Sequence, residues 1–145
     1  MSTTIINILI SGLIGTTAMT LFTIFVETVT GKDLGEPKYL NRLISTSVHF
    51  DAKIGDNHIF GWAAHYVIGV LFAAVMVAFR SISGIHLTTL NGMLLGTALG
   101  IMGIIGWTVM FAVHHDPPKI DFPLFMAQLI VAHILFGATI AFYYR

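Results

Sequence analysis

The chain contains no cysteine, so disulfides, thiolate metal ligands and cysteine redox chemistry are excluded. Charge is scarce as well. Only 10% of the 145 residues are Asp, Glu, Lys or Arg, and the seven bases balance the seven acids. A chain without net charge or a basic cluster has no electrostatic footprint for nucleic acid. Catalytic constellations are missing too. The serines lie in no hydrolase-type context, and His-Glu-x-x-His and related metal motifs are absent. These gaps argue against an enzyme.

What remains is apolar. Hydrophobic residues make up 56% of the chain and mean hydropathy is +0.86, more than a soluble domain of this size can bury. Four apolar stretches, 5–26, 59–79, 87–113 and 122–144, reach the roughly 20 residues a helix needs to cross the hydrocarbon core. The sequence therefore predicts an all-α integral membrane protein, a four-helix bundle in the lipid bilayer with 1–145 as one transmembrane domain. The first stretch has no basic n-region or small-x-small cleavage site, and reads as a retained span.

The order of features repeats. A shift of 81 lays LIGTT (13–17) on LLGTA (94–98) and Pro37-Lys38 on Pro118-Lys119. A shift of 68 lays AAHYVIG (63–69) on VAHILFG (131–137). Two hairpin repeats, about 5–79 and 87–144, are expected, related by a pseudo-twofold axis along the membrane normal. The short connection at 80–86 predicts that the second and third spans are antiparallel neighbours. The long connection, 28–58, lies outside the membrane. Within it, Tyr39, Leu40, Leu43, Ile44 and Val48 at helical spacing predict a short interfacial amphipathic helix.

The third span carries Gly92, Gly96, Gly100, Gly103 and Gly106 on one broad face, suited to close helix packing. A second copy or a larger membrane complex is one candidate to meet that face. Lys and Arg fall five to two in favour of the side bearing the first-to-second and third-to-fourth connections, which also carries all the acids. By the positive-inside rule alone that side is cytoplasmic, while Arg80 and Arg145, directly at helix ends, offer the opposite face as the alternative.

Seven histidines stand out in so apolar a chain. An ionisable residue inside a span is a functional candidate by default. His65 and His133 sit at matching places in the repeats, each four residues before a glycine, Gly69 and Gly137. One reading is an interhelical hydrogen bond that fixes bundle register. The other is a bis-imidazole site for haem b or another tetrapyrrole, with Gly61, Gly69 and Gly137 leaving room for a macrocycle edge and Phe72, Tyr66 and Phe136 as aromatic walls. A second cluster, His114, His115 and Asp116 with His58, His49 and Asp51, offers imidazole and carboxylate to a divalent transition metal. Its plainer reading is a polar helix terminus stopped by proline. Glu27 is the acid nearest the hydrocarbon, a relay carboxylate or an interfacial cap.

GWAAHYVIGVLFAA (61–74) and AHILFGATIAFYY (132–144) resemble the helices of uncharacterised, YagU-like small bacterial inner-membrane proteins. The resemblance implies an integral protein of that membrane without an assigned reaction, and it supplies no catalytic residues. Three functions are thus expected: a tetrapyrrole or metal protein for electron transfer or cofactor handling, an accessory subunit of a larger complex, or a small metal transporter with a His/Asp-rich entrance.

Overall fold

A computed structural model describes residues 2–47 and 53–145. It contains five helices: α1 (Ser2–Thr30), α2 (Glu36–Ser45), α3 (Ile59–Ser83), α4 (Thr89–Val113) and α5 (Phe122–Tyr143). No strand occurs among the described residues. α1, α3, α4 and α5 are each long and apolar enough to cross a membrane, so the chain is an integral membrane protein with four spans. Its outward-facing Leu21, Phe25, Val67, Leu71, Leu94 and Ile105 are all more than half exposed, as lipid contacts should be.

Local chemistry sets the helix ends. The His58 imidazole accepts from Phe60 N to cap α3, and the chain leaves that helix at Gly84, whose φ of +69° suits glycine. Thr88 caps α4 through Asn91 N, and Asp121 caps α5 through Leu124 N. Pro117 and Pro118 follow α4 and prevent its continuation.

α5 is the central span. It packs on α4 and on α1, and α1 in turn packs on α3. The expected α3–α4 pairing does not form. Despite their short connection the two helices barely touch, so the bundle reads α3–α1–α5–α4. If the repeats are real, α1 corresponds to α4 and α3 to α5. The α1–α5 and α4–α3 interfaces would then be equivalent, yet one is packed and the other parted. A strict twofold is not what the packing shows.

The glycine face of α4 explains its partner. A Cβ at Gly92 would strike the Gly137 carbonyl, and one at Gly96 the His133 carbonyl, with Ile134 Cα 3.2 Å away. Gly137 is equally tight against Gly92 and Gly96. Backbones approach this closely only where small residues at the contact leave room. Gly92, Gly96 and Gly100 of the glycine-rich span thus pack on α5 of the same chain, while Gly106 stays exposed.

α2 spans 36–45 as the amphipathic pattern predicts, with Val48 outside the described residues. It packs on protein rather than lying free on the membrane. Tyr39 is 1% exposed and meets Trp107, Phe111 and Phe125 edge-on at centroid distances of 6.4, 6.3 and 5.4 Å. Buried Asn41 donates to the Asp56 and His58 carbonyls (2.8 Å each) and accepts from Gly61 N (2.7 Å), tying α2 to the start of α3. Glu27 Oε1 accepts from Leu34 N (2.8 Å), Gly35 N (3.0 Å) and Lys38 Nζ (3.3 Å), which identifies it as the cap of the α1–α2 turn. Asp33 and Asp56 hold Arg42 from two sides.

Candidate functional site

The parting of α3 from α4 leaves a cavity of about 210 Å³ in the half of the bundle under α2. Ile68 and Phe72 of α3, Met102, Gly106 and Trp107 of α4, and Leu129 and Phe136 of α5 give it apolar walls. Three polar side chains reach it: His65 from α3, His133 from α5 and Glu36 from the start of α2. Its rim carries Ile68 and Met102, 43% and 56% exposed. These lie nine residues past the start of α3 and eleven before the end of α4, hence ~14 and ~17 Å from those ends at 1.5 Å per residue. The mouth therefore faces the hydrocarbon layer between α3 and α4.

Both histidines have one ring nitrogen committed to the bundle. His133 Nδ1 lies 2.8 Å from the Leu129 carbonyl. A carbonyl only accepts, so Nδ1 carries the proton and a neutral ring keeps its lone pair on Nε2. His65 Nε2 lies 3.0 Å from Thr20 Oγ1. The Thr20 hydroxyl proton goes to the Thr16 carbonyl (2.8 Å), so Oγ1 accepts and His65 carries its proton on Nε2. Its lone pair is then on Nδ1. The interhelical hydrogen bond anticipated for these residues is present for His65, which bonds α3 to α1, whereas His133 bonds back to a carbonyl of its own helix. Each ring still has one nitrogen without a hydrogen-bond partner among the described residues.

Glu36 is the polar group that sequence reading missed. It is 3% exposed and accepts from Gln128 Nε2 at 3.2 Å, while Thr23 donates to Gln128 Oε1 at 3.0 Å. Burial pushes its carboxyl up to about 7, with hydrogen bonds from its own amide, Gln128 and Thr23 opposing.

The residues expected to hold a tetrapyrrole come together only in part. His65, His133, Gly69, Phe72 and Phe136 line the cavity. The space beside the glycines, however, is taken by protein: Thr16 at Gly69, Pro37 and Asn41 at Gly61, Gly92 and Gly96 at Gly137. Tyr66 turns instead toward Thr17, 3.1 Å away. The two imidazoles also differ, since only His133 leaves Nε2 open while its Nδ1 is anchored, the usual pose of a ligating histidine. A cavity of 210 Å³ is below the ~300–1,000 Å³ typical for drug-sized ligands. The cradle for a macrocycle edge is therefore not formed.

The second cluster disperses. His114 Nε2 donates to the Leu43 carbonyl (2.9 Å) and its Nδ1 accepts from Asp116 N (3.1 Å), so both nitrogens serve the end of α4. His58 caps α3. His49 and Asp51 lie outside the described residues. Among the described residues no three His, Asp or Glu side chains gather as a metal site, His115 and Asp116 included.

No family model matches the chain, and neither the curated proteins nor the solved structures include a match. The YagU-like resemblance thus rests on the two segments that carry it.

Proposed function

We propose that this protein is a bilayer-embedded binding protein whose α3–α4 cavity receives the polar head of a membrane amphiphile, leaving the apolar tail among the lipid chains. One observation carries this reading: an apolar cavity with three convergent polar side chains, opening at hydrocarbon depth rather than to water. Concave apolar sites with few polar groups are the usual form of a small-molecule site, and buried polar groups inside a span mark function. Size supports a head no larger than a single substituted ring. A cavity of about 150 Å³ is enough for benzene, and this one is about 210 Å³.

Gly106 provides the test. It lines the cavity, and a Cβ there meets nothing within 4 Å. Gly106→Leu therefore adds a side chain at the cavity wall from a Cβ that meets no neighbour, and is designed to narrow the cavity. Native mass spectrometry of the protein released from mild detergent is expected to show a bound amphiphile in the parent chain and none in Gly106→Leu. Equal occupancy in both, or none in either, overturns the proposal. The same samples give an absorption spectrum. A Soret band that disappears on replacing either His65 or His133 with Ala would put a tetrapyrrole there instead.

A further inference from the structure

We infer that the ligand of this cavity is a hydroxyl-bearing single-ring amphiphile of the phenol or hydroquinone class, which donates its O–H to His133 Nε2. The inference rests on the cavity reading and adds the chemistry of the ligand head.

The hydrogen-bond inventory of the two imidazoles is one-sided. His133 Nδ1 is spent on the Leu129 carbonyl, leaving Nε2 as an acceptor. His65 Nε2 is spent on Thr20, leaving Nδ1 as an acceptor. The hydroxyls of Thr16, Thr20 and Thr23 are spent on the Gly12 carbonyl, the Thr16 carbonyl and Gln128. The Gln128 amide is spent on Glu36, whose carboxyl accepts when ionised and can donate when protonated. A neutral imidazole pair thus presents lone pairs and no N–H to the cavity. A lone pair that faces an apolar cavity without a partner is disfavoured, so the ligand complementary to the imidazoles is a donor. A ligand that only accepts, such as a quinone or an ester, finds no imidazole proton to take.

The position of His133 fits this role. A Cβ on Gly103 of α4 would stand 3.5 Å from His133 Cε1 and 3.7 Å from Nε2. The glycine therefore keeps open the side from which a hydroxyl approaches. Phe72, with its centroid 5.8 Å from the imidazole, and Phe136 flank the space where the ring of the ligand would lie. A metal fits less well, since no third ligating side chain joins the histidines among the described residues.

The full chain in lipid nanodiscs, kept anaerobic, is titrated with a short-chain alkyl hydroquinone and with the matching quinone, which has the same ring but no O–H. Calorimetry reads both. The expected result is roughly tenfold tighter binding of the hydroquinone, the value of one net hydrogen bond of about 1.4 kcal/mol. His133→Phe is expected to bring the two affinities within about twofold. Where His133→Phe does not fold, Gly103→Val covers the same nitrogen and is expected to do likewise. Equal affinities in the parent chain sink the donor inference but leave the cavity reading standing. Binding that persists unchanged in Gly106→Leu, or no binding of either compound, sinks both. Hydroquinone binding that requires added zinc also overturns the inference, because the histidines then hold a metal and not a hydroxyl.

Discussion

Glu36 opens α2 immediately before Pro37, a place where a glutamate ordinarily faces water. Here the fold seats it under the bundle, against Gln128. Its folded pKa of about 7 lies above the ordinary 4.5, so the folded state holds the proton more tightly than the unfolded chain. The stability gained is complete below about 4.5 and is lost as pH rises through about 7. Thermal unfolding in detergent should therefore show the parent chain losing stability between those values, on the order of 3 kcal/mol across the window. Glu36→Gln should flatten that dependence, and an unchanged slope would mean that the carboxyl is not the titrating group. Nothing in the sequence sets Glu36 apart, because its burial comes from α5, more than ninety positions later in the chain. His65 and His133 were legible for the opposite reason. An imidazole inside an apolar span stands out without any knowledge of its neighbours.

At the level of whole elements, the glycines of α4 are the best example of what pattern does and does not reveal. Their spacing showed a close-packing face. It did not show the partner, and the short connection at 80–86 pointed to α3. The choice falls to α5 because Gly137 and Ala141 give it a matching groove of small residues. Gly96 is among the tightest points, where a Cβ would strike the His133 carbonyl. Gly96→Val should force the helices apart and destabilise the protein by about 3 kcal/mol or more, measured by denaturant titration in mixed micelles. Gly106→Val, where a Cβ meets open space, should change stability by less than about 1 kcal/mol. Comparable losses at both sites would show that the close α4–α5 approach is wrong. The spans themselves were legible from length and hydropathy, which depend on the bilayer more than on tertiary contacts. The docking of α2 was only half legible. Its apolar stripe was visible, but not that Tyr39 packs edge-on against both Trp107 and Phe125.

Across the whole molecule, packing is uneven. α5 packs on α4 and α1, and α3 packs on α1 and α2, while α3 and α4 barely touch. Regions with few packed contacts open at the lowest free-energy cost. The absence of cysteine makes this easy to check with paired spin labels. Labels at Ile68→Cys and Met102→Cys, on exposed rim positions, should give a broad distance distribution. A pair at Leu21→Cys and Val131→Cys, across the packed α1–α5 interface, should give a narrow one. Equal widths would show that α3 and α4 are held as rigidly as the rest. The sideways mouth has a further consequence. Occupancy is governed by the mole fraction of ligand within the membrane, not by its concentration in water. A sparingly soluble compound can therefore saturate the protein while the surrounding aqueous phase holds almost none. Anything that changes the lateral pressure of the bilayer on α3 will shift the half-saturation point, even though it never touches the cavity.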